Sequence, residues 1–175
     1  MTFTVLAMAG SLREASINAA FCRAAARLAP VGPAIEIYTG LGALPHFNPD
    51  LELDPPRPVV ELRSGVSAAS AVMIASPEYA HGISGVLKNA LDWLVGHEGF
   101  VGKPVAVMNT SPRAHQAYDA LLEVLRTMSA TLVPEASITL PLLGSCGTEQ
   151  QIVGTPTLAR QIRGALERLQ SFLDQ

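Results

Sequence analysis

The stretch Phe3-Thr4-Val5-Leu6-Ala7-Met8-Ala9-Gly10-Ser11-Leu12-Arg13-Glu14-Ala15-Ser16-Ile17-Asn18 decides how this chain is read. Residues 3–9 form an apolar run without the polar alternation of a half-exposed strand. That predicts a strand buried on both faces, as in a parallel sheet. Gly10-Ser11 interrupts the run. Ile17, Phe21, Ala24, Ala25 and Leu28 then recur at helical spacing. The chain therefore passes from a buried strand through a short turn straight into an amphipathic helix.

Working outward, Pro30, Gly32 and Pro33 end that helix, and residues 34–38 read as a second strand. Residues 40–58 hold two Gly and five Pro and predict a long irregular excursion. Residues 59–69 are a short helix, 71–76 an apolar third strand, and 84–95 a helix with Val86, Leu87, Ala90, Leu91 and Leu94 on one stripe. Residues 104–109 are a fourth strand and 115–130 a helix. Residues 132–138 form a fifth strand broken around Pro134, 139–154 a loop, and 155–173 a closing helix. Strict strand–helix alternation predicts an α/β, three-layer sandwich. Its five-stranded parallel sheet is expected in the flavodoxin-like order 2-1-3-4-5, as one domain over residues 1–175.

Bulk properties narrow the function. The net charge is −3 and no basic run exists, so nucleic-acid binding has no electrostatic footprint. The apolar start lacks a positively charged leader region and reads as the first strand, not a signal peptide. No apolar run reaches the length of a membrane span. The two cysteines form no CxxC pair, and Cys22 falls in a helical pattern as a core thiol, which fits the reducing cytoplasm. Charged residues make up only 15% of the chain, against roughly 25% in a typical soluble domain. Such a sparse charge cover predicts a homo-oligomer that hides apolar surface.

In the expected strand order, ligands bind at the carboxyl ends of the first and third strands, where the connections diverge. The loop after the first strand offers a helix start with free N–H groups, hydroxyls on Ser11 and Ser16, the Asn18 amide and the permanent charge of Arg13. Together these suit a phosphate. Taken singly, Ser16 is also an ordinary helix cap and Arg13 an ordinary surface charge. The loop after the third strand reads Ser76-Pro77-Glu78-Tyr79-Ala80-His81-Gly82-Ile83-Ser84. It places an aromatic plate and a carboxylate beside the phosphate loop. His81 is the tempting catalytic residue there, although a lone loop histidine is more often simply solvated. Lys88 and Asp92 are spaced to pair across one helical turn, and with Asn89 and Trp93 read as scaffold or interface residues, not catalysts.

Gly10-Ser11-Leu12-Arg13-x-x-Ser16-x-Asn18, Ser76-Pro77-Glu78-Tyr79 and Gly85-Val86-Leu87-Lys88-Asn89-Ala90-Leu91-Asp92-Trp93 together resemble the NADPH-dependent FMN reductase family. Leu44-Pro45-x-Phe47-Asn48-Pro49-Asp50-Leu51-Glu52 resembles that family's loop after its second strand. The similarity runs from the first strand to about the fourth helix. It implies a flavoprotein that takes electrons from NADPH or NADH and passes them to a small-molecule acceptor such as flavin or quinone, by a ping-pong mechanism. It implies that Ser11, Arg13, Ser16 and Asn18, with Ile17 beside them, hold the FMN phosphate. Pro77, Glu78, Tyr79 and Ala80 would lie along the rest of the cofactor, with Ser111 in contact. Lys88, Asn89 and Asp92 would stabilise the fold or a homodimer or homotetramer. No protein acid or base is required, and no metal.

Two departures stand out. Ala80 replaces the Asn that usually follows Pro-Glu-Tyr. Thr110-Ser111-Pro112-Arg113-Ala114-His115 replaces a usually Gly-rich loop. There Pro112 lacks a backbone donor, while Arg113 offers charge to the flavin edge, nucleotide phosphates or an anionic acceptor. Competing readings are a flavodoxin-like electron carrier and a flavin-free sensor or interaction protein on the same fold. Gly102-Lys103 has the look of a P-loop ending, but it precedes a strand and His97 stands where the first Gly belongs.

Overall fold

β1 (Phe3–Ala9) pairs in parallel with β2 (Pro33–Tyr38) on one side and with β3 (Ala71–Ala75) on the other. In this computed structural model, which describes residues 3–142 and 146–175, the chain runs through α1 (Ile17–Leu28), α2 (Arg57–Ala68) and the short β4 (Glu78–Tyr79) and β5 (Gly82–Ile83). It continues through α3 (Gly85–Leu94), β6 (Pro104–Asn109), α4 (His115–Thr127), β7 (Thr131–Leu132), β8 (Ile138–Thr139), α5 (Glu149–Gly154) and α6 (Pro156–Leu173). The main sheet has the order β2-β1-β3-β6-β7, with β8 also on β6. This is the expected flavodoxin-like order. The start at Met1-Thr2 and the 143–145 part of the late loop lie outside the described residues.

The sheet is covered on both faces because its strands alternate between two cores. Val5, Ala7 and Ala9 join Phe21 of α1 and Ile162 and Leu166 of α6. Leu6 and Met8 join Leu62 of α2, Leu91 of α3 and Leu125 of α4. The first core is rich in alanine on both sheet and helix, which lets α1 lie close against β1 and β3. Cys22 is fully buried there, and burial pushes its thiol up to about 12. It is an inert packing group.

The fifth strand position is split as the proline required. Pro134 starts a one-turn 3-10 helix between β7 and β8, and the ladder on β6 lapses there. Ser137 bridges the lapse. Its hydroxyl accepts the Val107 N–H at 3.0 Å and donates to the Val133 carbonyl at 3.0 Å. The irregular excursion after β2 is fastened to α3. The Asn89 side chain accepts the Phe47 N–H at 2.8 Å and donates to the Pro45 carbonyl at 2.9 Å. Buried Trp93 donates to the same carbonyl at 2.8 Å and meets the Phe47 ring edge-on at 5.0 Å. Of the two roles read for Asn89 and Trp93, scaffold or interface, these bonds give the scaffold one.

Three expectations are corrected. Residues 139–154 are not all loop: α5 occupies Glu149–Gly154, capped by a reciprocal Thr148–Gln151 box. The third strand ends at Ala75. Beyond it, residues 78–83 fold into a hairpin whose two-residue turn is Ala80-His81. Helix α2 begins at Arg57, because Pro58 is tolerated in a first turn where its missing N–H has no intrahelical role.

The hairpin packs on the start of α4, which receives no cap from Ala114. The Glu78 carboxylate takes that role from a distance. Oε2 accepts the Ala117 N–H at 2.9 Å, and Oε1 lies 3.1 Å from His81 Nδ1. The Ala117 N–H holds the Glu78 carboxyl below the ordinary glutamate value, and the His81 contact adds to this.

Two outcomes follow. Ala80 and His81 sit at φ of 49° and 61°, as a tight hairpin turn requires but as alanine resists. Ala80→Gly should stabilise by about 1 kcal/mol: the left-handed penalty of about 1–2 kcal/mol is relieved, less about 0.5–1 kcal/mol of added chain entropy. Thermal unfolding reads this, and a lower Tm would contradict it. Because the folded Glu78 pKa is depressed, its contribution is complete above the ordinary carboxylate range and is lost as pH falls through the folded value. Urea unfolding across the acid range should therefore show a shallower acid loss in Glu78→Gln than in the parent.

Candidate functional site

The loops leaving the carboxyl ends of β1, β3 and β6 stand side by side and enclose a cleft of about 610 Å³. Small groups set their spacing. The Gly10 N–H donates to the Ala75 carbonyl at 2.8 Å. A Cβ on Gly10 would lie 2.7 Å from Ser76 Oγ and 3.1 Å from Ser84 Oγ. Glycine at this position therefore lets the first loop close against the third-strand loop.

The first loop supplies Ser11, Arg13, Ser16, Ile17 and Asn18 to the wall. Ser16 caps α1 by accepting the Ala19 N–H at 3.2 Å, so the cap and site readings fall on one residue. The first-turn N–H groups of Ile17 and Asn18 have no intrahelical acceptor. The Arg13 side chain makes no ion pair among the described residues. Asn18 is buried, and its side-chain carbonyl accepts the Thr110 hydroxyl at 2.9 Å. That bond ties the start of α1 to the end of β6 and leaves the Asn18 NH2 as its remaining donor.

The hairpin loop supplies Pro77, Glu78 and Tyr79. Tyr79 is 56% exposed, an aromatic plate at the edge of the cleft. Glu78 lines the cleft, but its carboxylate is committed to α4 and His81. Ala80, expected beside them, occupies the hairpin turn and is not on the cleft wall.

The β6 loop supplies Thr110, Ser111 and Arg113. Asn109, buried at the end of β6, braces it by accepting the Ser111 N–H at 3.0 Å and donating to the Ala114 carbonyl at 3.3 Å. Gly147 and Thr148, ahead of α5, close the far side. Sequence reasoning missed Thr110 and Thr148. Thr110 directly follows the fourth long strand, and Thr148-x-x-Gln151 is a capping-box spacing, so both carried a signal. Glu149 fastens α5 to α1 through Arg23 at 3.3 Å and Arg27 at 3.2 Å.

Other candidates lie elsewhere. Lys103 stands at the opposite end of the sheet and donates to the Ala69 carbonyl, closing the P-loop reading. Lys88 pairs with Asp92. Among the described residues no group of His, Cys, Asp and Glu is arranged to hold a metal, and no helix is long and apolar enough to cross a membrane.

The donor set matches a phosphomonoester: a long helix aimed at the cleft, a cap hydroxyl, a second hydroxyl and a guanidinium without an acidic partner among the described residues. Beyond it, Pro77, Tyr79 and the β6 loop form a wall suited to a flat ring system.

The model of the NADPH-dependent FMN reductase family matches residues 3–142. A NAD(P)H-dependent FMN reductase of Pseudomonas aeruginosa is 39% identical over 110 residues, 61% of this chain and 59% of that protein. A quinone reductase of Pseudomonas putida is 34% identical over 145 residues, 78% of this chain and 77% of its own. The matches to the first two curated relatives span 59% and 65% of their lengths, less than two thirds of each. Among solved structures, the flavoenzyme NAD(P)H:(acceptor) oxidoreductase FerB of Paracoccus denitrificans superimposes with a TM-score of 0.79 at 31% identity, covering 99% of this chain and 96% of that one. By sequence and by fold, this chain belongs to the NADPH-dependent FMN reductase family.

Proposed function

We propose that the cleft binds FMN and that the protein is an NAD(P)H-dependent reductase of a small acceptor such as free flavin or a quinone. The observation that carries this is the Arg13 guanidinium, without an ion pair among the described residues, beside the N-terminus of α1 at the point where the connections of the parallel sheet diverge. Ser11, Arg13, the Ser16 cap and the first-turn N–H groups of Ile17 and Asn18 would hold the phosphate. Pro77, Tyr79 and Ser111 would line the remainder. When bound, FMN supplies the redox chemistry, accepting hydride from NADPH or NADH and passing the electrons to the acceptor.

The side chains of the cleft bind and orient and are not assigned a proton-transfer step. Tyr79 shields one side of the cleft mouth. The hairpin and the β6 loop are locked together through Glu78 and α4, so the walls are pre-set before ligand arrives. The relatives named as quinone reductases support a quinone-type acceptor. We further infer a homodimer or homotetramer in the cytoplasm. The low charged fraction of 15% and the exposed Leu53, Val95 and Val101 support an assembly that covers apolar surface.

Two measurements test this reading. Titration of purified protein with FMN, followed by flavin fluorescence, should show saturable binding that Arg13→Ala weakens about tenfold to a hundredfold, the loss of about 1.5–3 kcal/mol expected for charged hydrogen bonds. Absence of binding in the parent sinks the proposal. Initial rates at varied donor and acceptor should give parallel double-reciprocal lines, because donor and acceptor use the cleft in turn. Intersecting lines, from an obligatory ternary complex, would exclude a shared site.

A further inference from the structure

The cleft wall carries two guanidiniums that make no ion pair among the described residues, Arg13 and Arg113. They stand on loops from β1 and β6, with β3 between them. Two strand spacings put the loops about 10 Å apart. A single phosphate anchored at the start of α1 is served by Arg13, by the hydroxyls and by the helix terminus. Glu78, the one acid on the cleft wall among the described residues, is already bound to the Ala117 N–H and His81. Arg113 is therefore a surplus positive charge, offered to whatever occupies the end of the cleft away from the phosphate loop.

A purely structural role does not account for Arg113. Its side chain is exposed and makes no hydrogen bond or ion pair among the described residues. Its loop is nevertheless hydrogen-bonded on itself. Asn109 ties Ser111 and Ala114 together, the Ala114 N–H donates to the Ser111 carbonyl at 3.0 Å, and His115 Nδ1 lies 3.2 Å from the Arg113 carbonyl. Pro112 fixes the backbone just before it. The turn is braced by buried and backbone groups while the charge it presents has no partner among the described residues. Guanidinium is also the side chain best shaped to grip a carboxylate, sulfonate or phosphate through two parallel bonds.

We propose that Arg113 is a specificity-determining residue that binds an anionic group on the substrate exchanging through the cleft. This rests on the reading of the cleft as the FMN site. The anion has two sources, the additional phosphate that distinguishes NADPH from NADH, or a charged substituent on the acceptor. Both present the same chemistry to the guanidinium.

The test uses FMN-loaded parent, Arg113→Ala and Arg113→Lys. Rates are compared for NADPH against NADH with 1,4-naphthoquinone, and for 1,4-naphthoquinone against its 2-sulfonate with one donor. In Arg113→Ala one of the two preference ratios in kcat/KM should fall about tenfold to a hundredfold in favour of the less charged member. Arg113→Lys should lie between, since it keeps the charge and loses the fork. The ratio that moves identifies the source. Both ratios equal to those of the parent overturn the proposal. So does a loss of FMN affinity in Arg113→Ala matching that of Arg13→Ala, which would put the guanidinium on the cofactor. A parent that binds no FMN defeats the site reading itself, and is seen in the titration before any rate is taken.

Discussion

The parallel pairing of β1 with β3, with their following helices sent to opposite faces of the sheet, is the constraint on which the rest of the molecule depends. α1 leaves β1 toward the alanine-rich core, while α3 follows β3 on the other face. Two adjacent strands whose continuations diverge cannot fill the space above their ends. A cleft is the geometric consequence. The Gly10 contact with Ser76 and Ser84 keeps its floor narrow, and the Ala75 carbonyl completes the backbone pairing just below it.

The walls are built from polar groups whose first duty is to the fold. Ser16 ends a helix, Glu78 caps another helix from a distant hairpin, Asn109 braces a turn, and Asn18 is joined to Thr110 across the cleft floor. Each bond satisfies a group that burial would otherwise penalise. Among the described residues of the cleft wall, the charges left over once these duties are met are the guanidiniums of Arg13 and Arg113. A protein with a net charge of −3 thus presents a positive cleft, and anion binding follows from subtraction as much as from any single residue.

The periphery shows the same economy of partners. The irregular segment after β2 is long and proline-rich, yet Asn89 and Trp93 hold it by its own backbone and by the Phe47 ring. The broken fifth strand is repaired by the Ser137 hydroxyl, which donates and accepts at once. The helix α5, which borders the cleft, is short, and its attachment to α1 runs through Glu149 with Arg23 and Arg27.

Much of this was legible in the residues. Continuous apolar runs such as Val72-Met73-Ile74 between helical stripes dictate a parallel sheet, because only strands buried on both faces need no polar side. Pro134 announced the break in the fifth strand, and the placing of Arg13 and Ser16 at a strand-to-helix turn announced the anion site. Tertiary structure alone decided which polar side chains remain available. Glu78 reads as a ligand-facing carboxylate until α4, starting at His115, arrives with N–H groups in need of an acceptor. Ala80 reads as a contact residue until the hairpin forces it into the turn. Thr110 and Thr148 become cleft walls only when β6 and α5 are brought beside α1. Local sequence sets backbone preference and burial, which are properties of neighbours along the chain. The partner of a polar group is set by what the fold brings next to it, and that is why the commitment of Glu78 to α4 emerged only from the folded molecule, while the charges of Arg13 and Arg113 were already legible in their loops.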